Sequence, residues 1–142
     1  AGIKRTAMLE HLLAIEEARS RNFDDAVILN ERGEMVSATS SNLFWVDGNE
    51  IFTPSLATGC VGGLTRAFAC EIIQRCKLNL VEGSFPLARL LGASEVFLTS
   101  TARGVVPVSR YDIREYDPRA SGINRLIRRE FEKLVHDARI GE

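Results

Sequence analysis

Apolar residues recur at helical spacing in three stretches of the chain. The first stretch predicts a helix over about residues 6–21, and the second predicts a helix that begins near Leu64. The third stretch, close to the C-terminus, is the most strongly amphipathic, and its apolar face carries Ile123, Leu126, Ile127, Phe131, Leu134 and Val135. Each helix therefore offers one apolar face to a partner element.

Short apolar runs bounded by turn residues lie between the helices and predict strands. The clearest are the run at residues 26–29 and the two runs that flank Asp47 and Gly48, a dipeptide that favours a hairpin. Further strands are predicted at residues 35–36, 78–81, 96–98 and 105–108, and a short helix at 87–91. These elements indicate a mixed α/β (α+β) fold. Because no repeat or linker interrupts them, residues 1–142 are expected to form one domain.

Composition narrows the range of functions. The 142 residues are 45% hydrophobic and 26% charged, with a net charge of -1, which is typical of a globular domain with its own core. A net charge so close to zero gives no electrostatic reason to expect binding to nucleic acid or to an anionic membrane. No apolar run approaches the roughly 20 residues that span a bilayer, and a cytoplasmic location is expected. The three cysteines lack metal-type spacing, so free thiols and no metal site are expected.

Three polar stretches have the composition of anion-binding loops. Residues 59–65 form a glycine-rich loop that leads into the second helix, where free N–H groups and the helix dipole suit a phosphate. Hydroxyl-rich turns at residues 39–42 and 99–102 offer further N–H and O–H groups. Each stretch also has a simpler explanation, a tight turn or a polar connection between strands. Taken singly, the simpler explanation is favoured.

In combination and order, these stretches resemble the class IV (fold-type IV) pyridoxal-phosphate enzymes. The family pattern is a lysine before a helix, a serine-rich turn ending in Asn-Leu-Phe, a Thr-Pro pair, a Gly-x-Thr-Arg loop, a threonine-rich turn and a Pro-Val pair. The matching positions here are Lys4 and residues 40–44, 53–54, 62–66, 99–102 and 107–108. Five blocks follow the lysine in order at suitable distances, over about residues 1–110, which makes the resemblance specific.

The resemblance implies a fold and a domain organisation. The chain is expected to be the C-terminal, cofactor-binding domain of the D-amino-acid-aminotransferase-like fold, a pseudo-barrel sheet with flanking helices. In this family an N-terminal domain supplies specificity residues and an arginine that grips the phosphate. That domain is expected to be absent from residues 1–142. The chain alone is therefore expected to be inactive, and a homodimer that includes the N-terminal domain is the expected assembly.

The resemblance also implies roles for residues around pyridoxal 5'-phosphate. Lys4 would hold the cofactor as a Schiff base and, as the free amine, move the Cα proton of the substrate. Leu64 and Thr65 would bind the phosphate at the helix N-terminus. Thr101 would also reach the phosphate, and the N–H groups of Thr101 and Ala102 would meet a substrate carboxylate.

One position departs from the family pattern. Most members have a glutamate five residues before the asparagine of the serine-rich turn, where it keeps the pyridine nitrogen protonated. Counting back from Asn42 reaches Ser37. Serine cannot supply the negative charge, so a weaker electron sink is expected. Glu34 lies three residues off this register, and strand alternation puts it on the opposite face.

Two arginines and two histidines are the other ionisable residues to consider, and each arginine has two interpretations. Arg66 follows the predicted phosphate loop and is either a structural arginine or a ligand contact. Arg103 follows the threonine-rich turn and is either a turn residue or a contact to a substrate carboxylate. His11 and His136 lie on predicted helices, and both are expected to be ordinary surface histidines.

Within the family, two reactions compete. Leu9 and Glu10 after the lysine, together with residues 42–45, are most similar to 4-amino-4-deoxychorismate lyases, which release pyruvate and give 4-aminobenzoate for folate synthesis. Branched-chain aminotransferases commonly have a tyrosine where Leu9 stands, although D-amino-acid aminotransferases share the leucine. The leading expectation is the lyase, acting on a small amino-acid-like substrate. An aminotransferase for branched-chain or D-amino acids and a catalytically weak or inactive binding homologue are the alternatives.

Overall fold

The structure is a computed structural model that describes residues 2–117 and 119–140, and the side chains of residues 10–117 and 119–138. Three α-helices lie in this part of the chain: α1 (Gly2–Ser20), α2 (Leu64–Arg75) and α3 (Ile123–Ile140). Helix α2 begins where the sequence predicted. Helix α1 begins earlier than residue 6 and so includes the backbone of Lys4, which the sequence placed ahead of the helix. The side chain of Lys4 lies outside the described residues.

The described strands form one larger sheet and two short ribbons. In chain order they are β1 (Val27–Leu29), β2 (Met35–Ala38), β3 (Asn42–Asp47), β4 (Glu50–Pro54), β5 (Asn79–Gly83), β6 (Glu95–Ser100), β7 (Gly104–Pro107), β8 (Arg110–Tyr111) and β9 (Arg114–Glu115). The larger sheet has the order β5-β4-β3-β6-β7, with β4 and β5 parallel and the other neighbours antiparallel. The ribbons pair β1 with β2 and β8 with β9. The mixed α/β class is therefore confirmed.

Strand β3 lies at the centre of the larger sheet and is buried on both faces. Phe44 packs toward the helices with Ile72 of α2, and its ring stacks on that of Phe97 with centroids 5.0 Å apart. Leu43 and Trp45 alternate to the opposite face and belong to a second apolar cluster. Because both faces are packed, the register of β3 is fixed. The polar residue that begins the strand is thereby held at a defined place at one end of the sheet.

Glu95 ties α3 to the sheet. Its side chain is 1% exposed at the start of β6. One carboxylate oxygen accepts a hydrogen bond from the N–H of Ser121 at 3.0 Å, and the other accepts one from the amide of Asn124. Both donors lie at the start of α3, where helix N–H groups need acceptors and a negative charge is favourable. This buried carboxylate is therefore structural.

The three cysteines are free thiols, with Cys60 buried and Cys70 and Cys76 partly buried. Burial raises the pKa of the Cys70 thiol, which makes it less nucleophilic at neutral pH. Across the described residues, no helix is long and apolar enough to cross a membrane. The same part of the chain contains no group of three or more metal-binding side chains placed to hold a metal ion.

Candidate functional site

A cavity of about 280 Å³ opens where four parts of the chain meet. These parts are the segment from β2 to β3, the glycine-rich loop with the first turn of α2, the turn between β6 and β7, and one residue of α1. The lining residues are His11, Ser37, Ala38, Thr39, Ser40, Ser41, Asn42, Val61, Gly63, Thr65, Arg66, Thr99, Ser100 and Thr101. Hydroxyl and amide side chains predominate, so the cavity suits a polar ligand.

The first wall, from β2 to β3, is held in place by Asp25. Its Oδ1 accepts hydrogen bonds from the backbone N–H of Thr39 at 3.1 Å and from the Thr39 hydroxyl. The N–H of Ala38 donates to the carbonyl of Ser41 at 2.9 Å, which closes the turn. A carboxylate behind the wall and a main-chain hydrogen bond thus fix this turn before any ligand binds.

Asn42 joins the first wall to the glycine-rich loop. Its Nδ2 donates to the carbonyl of Val61 at 2.8 Å. The loop can approach this closely because Gly63 has no side chain, since a Cβ there would lie 2.7 Å from Asn42 Oδ1. Real Cβ atoms essentially never come that close to a neighbour. The glycine at position 63 is therefore required by the contact between the two walls.

Helix α2 presents an uncapped N-terminus to the cavity. Its N-cap residue is Gly63, and no side-chain capping hydrogen bond is made there within the described part of the chain. The first N–H groups of a helix have no partner within the helix, and the helix dipole makes this end electropositive. Thr65, which is 5% exposed, lines the cavity from this turn, whereas Leu64 is 65% exposed. The turn can thus offer N–H donors and one hydroxyl to an anion.

Arg66 is a buried cation on the cavity lining. It is 7% exposed, and one terminal nitrogen donates both to the carbonyl of Pro54 and to the carboxylate of Glu82, each at 3.2 Å. Its Nε is also buried, and no described atom accepts a hydrogen bond from it. Both interpretations of Arg66 therefore have support: one end of the guanidinium holds the fold together, and the other retains an unused donor.

The third wall is the turn that follows β6. Thr99 pairs with Asn42 across the β3–β6 ladder, which brings this wall beside the first. Thr99 is 1% exposed, and its hydroxyl has no hydrogen-bond partner within the described structure. The Oγ of Ser100 accepts a hydrogen bond from the N–H of Arg103 at 3.1 Å and stabilises the turn. An unpartnered buried hydroxyl is uncommon in proteins and costs about 1–3 kcal/mol, so Thr99 points to a ligand.

The charge of the lining favours an anion. Among the described lining residues, Arg66 and His11 are the side chains that can carry charge, and none is a carboxylate. The Nδ1 of His11 lies 2.9 Å from the carbonyl oxygen of Thr39. The sequence expected an ordinary surface histidine at position 11, whereas the structure places a half-buried ring on the cavity lining. His136 is exposed on α3, as the sequence expected.

Ser37, where the family pattern has a glutamate, is buried on the first wall. Its hydroxyl donates to the carbonyl of Ala38 at 2.7 Å, so it retains only neutral acceptor capacity toward a ligand. Glu34 does not take the place of the glutamate. Its carboxylate accepts hydrogen bonds from Asn30 at 2.9 Å and Arg32 at 2.7 Å, away from the lining residues. These hydrogen bonds hold the pKa of the Glu34 carboxyl below its ordinary value, and the bond from Asn30 makes the larger contribution.

The structure brings together three of the residues that the sequence selected. Ser37, Thr65 and Thr101 line one cavity although they lie far apart in the chain. Leu64 and Ala102 adjoin lining residues without lining the cavity themselves. Lys4 was also selected, and its side chain lies outside the described part of the chain.

The sequence did not identify His11 or Thr99 as residues of the cavity lining. His11 has one sequence signal: it follows the predicted catalytic lysine by seven residues, which is two turns and the same face of a helix. Thr99 was visible only as one hydroxyl in a hydroxyl-rich turn. Its missing partner is a property of the packed sheet, so the sequence could not show it.

Comparison with known proteins places this site in a family context. A model of the amino-transferase class IV family matches residues 1–111. The chain is 37% identical over 109 residues to an aminodeoxychorismate lyase of Vibrio harveyi, covering 77% of this chain and 40% of that relative. A branched-chain aminotransferase of Thermoproteus uzoniensis, solved with norvaline, superposes with a TM-score of 0.85 at 30% identity, over 90% of this chain and 42% of that one.

A second solved structure adds a ligand. The T.th. branched-chain amino acid aminotransferase, complexed with N-(5'-phosphopyridoxyl)-L-glutamate, superposes with a TM-score of 0.84 at 27% identity, over 90% of this chain and 43% of that one. In all three comparisons the chain spans less than half of the relative's length.

Proposed function

Because the chain belongs to the amino-transferase class IV family, we propose that its cavity holds the phosphate group of pyridoxal 5'-phosphate and that the protein is an enzyme dependent on this cofactor. The observation that supports this best is the set of unused donors around one cavity. The Thr99 hydroxyl and Arg66 Nε are buried without a partner, and the N-terminus of α2 is uncapped. With no carboxylate on the described lining, these donors fit a phosphate.

The start of α2 and the turn after β6 would share the phosphate. The N–H groups of Leu64 and Thr65 and the Thr65 hydroxyl would donate from the start of α2, and Thr101 from the third wall. The N–H groups of Thr101 and Ala102 would bind a substrate carboxylate. Leu64 can take part although its side chain is exposed, because its contribution is a backbone N–H group.

Lys4 is the residue to which we assign covalent attachment and proton transfer. Pyridoxal phosphate, when bound, supplies an aldehyde that an amine can hold covalently and a ring that accepts electrons. On α1, Lys4 precedes the lining residue His11 by seven positions, so the two α-carbons share one helix face. As a free amine, Lys4 would move the proton of the carbon that bears the substrate's amino group.

Ser37 would face the ring nitrogen of the cofactor in place of a carboxylate. Its hydroxyl already donates to Ala38, so it can offer the ring a neutral acceptor and no negative charge. A charged partner favours the protonated form of a nitrogen base much more strongly than a neutral one does. The ring would therefore be less protonated, and the electron sink weaker, than with a glutamate at this position.

The leading proposal for the reaction is conversion of 4-amino-4-deoxychorismate to 4-aminobenzoate and pyruvate. It is supported by the 37% identity to the Vibrio harveyi aminodeoxychorismate lyase. Transamination of branched-chain or D-amino acids is the second candidate, and the superposition on the Thermoproteus uzoniensis branched-chain aminotransferase supports it. A catalytically weak or inactive homologue is the third, because Ser37 replaces a charged residue.

The domain organisation is also a proposal. Residues 1–142 would form one cofactor-binding domain, and the relatives' greater length supports a further domain. We propose that this further domain is N-terminal and that it completes the substrate site within a homodimer. The 142-residue chain on its own would then bind the phosphate group and lack turnover.

Borohydride trapping tests the assignment of Lys4. The protein is incubated with pyridoxal phosphate, reduced, digested and analysed by mass spectrometry, and the pyridoxyl mass is expected on the peptide that contains Lys4. Lys133→Ala, at an exposed position on α3, serves as the control and should label normally. A label on Lys77 or Lys133, with none on Lys4, would refute the assignment.

Product analysis separates the three reactions. Release of pyruvate from 4-amino-4-deoxychorismate supports the lyase, and formation of glutamate from 2-oxoglutarate and a branched-chain or D-amino acid supports an aminotransferase. The assay uses the protein together with the proposed N-terminal domain, and if the cofactor binds there and neither product forms, the inactive homologue is the correct alternative.

A further inference from the structure

We propose that His11 is a binding residue of the cavity and that its imidazole takes up a proton at Nε2 when an oxyanion binds. This inference rests on the proposed function, which assigns the cavity to an anionic group. It adds an imidazole to the backbone N–H groups and hydroxyls that are proposed to bind the phosphate.

The hydrogen bond to Thr39 determines which ring nitrogen titrates. The Nδ1 of His11 lies 2.9 Å from the Thr39 carbonyl oxygen. A carbonyl oxygen can only accept, so Nδ1 carries its hydrogen in both the neutral and the charged ring. Nε2 is then an acceptor in the neutral ring and the place where the second proton binds. The ring can therefore change its charge without losing the contact that holds it.

The ring is held by a wall that is itself fixed. Thr39 lies 28 residues from His11 in the chain, and its N–H and hydroxyl both donate to Asp25. Asp25 thus orients Thr39, and the Thr39 carbonyl orients His11. These hydrogen bonds hold the His11 ring in one orientation, whereas a ring without such a partner would be free to rotate.

Nothing on the described lining neutralises a charged His11. Arg66 is the other ionisable lining residue and is also cationic, while Asp25 lies behind the wall. Glu10, which precedes His11 in α1, and Arg103, beside the third wall, are exposed. Arg66 is already paired with the carboxylate of Glu82, so an oxyanion in the cavity is the group that would compensate the charge of His11. Anion binding and protonation must then strengthen each other by the same factor.

Sulfate is the probe that tests this coupling, because it keeps its charge throughout the range in which imidazole titrates. Its affinity for the purified protein, followed by NMR chemical shifts, is expected to fall about tenfold between about pH 5.5 and pH 8.5. The ring nitrogens of the 15N-labelled protein report the tautomer directly. At high pH, His11 is expected to carry its hydrogen on Nδ1, with exposed His136 as the internal comparison.

Two variants complete the experiment. His11→Asn keeps a donor for the Thr39 carbonyl and removes the titration, so its sulfate affinity should no longer depend on pH. His136→Asn should retain the dependence of the native protein. Sulfate binding that is independent of pH in the native protein, or an Nε2–H tautomer at His11, overturns the inference while leaving the proposed function intact. If neither sulfate nor pyridoxal phosphate binds at any pH, the proposed function fails as well. The tautomer measurement needs no variant, so a misfolded substitution does not affect it.

Discussion

Two buried threonines on the strands that flank β3 have opposite hydrogen-bond states. Thr53 on β4 is fully buried, and its hydroxyl donates to the carbonyl of Leu43 at 2.7 Å. Thr99 on β6 is buried to the same degree, and its hydroxyl has no partner among the described atoms. The difference lies in position, because Thr53 is inside the sheet and Thr99 is at the cavity. Of these two hydroxyls, the one inside the sheet is matched within the protein, and the one at the cavity remains free to bind a ligand.

The interior of the sheet and the cavity also differ in the kinds of side chains that meet there. In the interior, aromatic rings pack on one another, as Phe44 does on Phe97 and Trp45 on Phe52. At the cavity, hydroxyl and amide side chains predominate, and Arg66 Nε and the Thr99 hydroxyl stay unpaired among the described atoms, as Trp45 Nε1 does in the interior and Asp25 Oδ2 behind the first wall. Buried donors without partners lower the stability of the free protein and increase the free energy available for binding. Substitutions in the two regions should therefore affect different measurements.

The largest effect is expected for an interior substitution. Phe44→Ala removes a fully buried ring from the centre of the sheet, and it should lower the free energy of unfolding by about 3–5 kcal/mol because the cavity left behind cannot fully collapse. Phe68→Ala, at a position that is 37% exposed, is the matched control and should cost much less. Urea unfolding measures both. Equal losses for the two variants would show that β3 is not the centre of the core.

The interior was also the region most open to prediction from sequence. Apolar runs predicted β3 and β6, and helical spacing predicted α2 and α3, because local pattern and burial agree there. The ribbon of β8 and β9 was missed, since strands of two residues have no alternation to detect. Its turn contains Asp112 at a φ of 52°, a conformation that is uncommon for residues other than glycine.

The cavity was predictable only in part. Ser37, Thr65 and Thr101 were selected through motifs that resemble a family, and they line one site. The roles of His11 and Thr99 depend on hydrogen bonds made or left unmade in the folded chain, to a residue 28 positions away in the case of His11. Sequence spacing indicates which residues share a helix or a strand. It does not indicate which groups, distant in the chain, form hydrogen bonds in the folded protein and which stay without a partner.

A smaller effect is expected from pH in the interior. Burial raises the pKa of Tyr116 to about 12, and its hydroxyl donates to the carbonyl of Leu90. The unfolded chain has a tyrosine pKa of about 10, so this contribution is fully present below pH 10 and is lost as the pH rises through about 12. The loss should reach about 2–3 kcal/mol.

The test compares urea unfolding of the native protein and Tyr116→Phe between about pH 9 and pH 12. The difference between the two should shrink as the pH rises. Tyr111→Phe, at the less buried tyrosine, is the control and should remove much less of the alkaline loss. An unchanged difference across this range would mean that the Tyr116 hydroxyl is accessible to water in the folded state.

At the cavity, two adjacent glycines should respond differently. A Cβ at position 63 would lie 2.7 Å from Asn42 Oδ1, so Gly63→Ala must displace the loop or break the hydrogen bond from Asn42 to Val61. A Cβ at position 62 would meet only the side chain of Leu56 at 3.3 Å, and that side chain is exposed and free to move. Gly63→Ala should weaken sulfate binding about tenfold, or about 1.4 kcal/mol, and Gly62→Ala should leave it nearly unchanged. Isothermal titration calorimetry with sulfate measures both affinities. Equal affinities for the two variants would contradict the role given to Gly63.

The smallest expected effects, of about 1 kcal/mol, come from the two threonines themselves. Thr53→Val removes a satisfied hydroxyl and should destabilise the protein, because the donor to the Leu43 carbonyl is lost. Thr99→Val removes a hydroxyl with no described partner, so it should leave the free protein equally or more stable. The order reverses for binding: Thr99→Val should weaken sulfate affinity, and Thr53→Val should not. Unfolding and titration are measured for both variants. If Thr99→Val destabilises the protein as much as Thr53→Val and binds sulfate normally, its hydroxyl is structural and the division between interior and cavity does not hold.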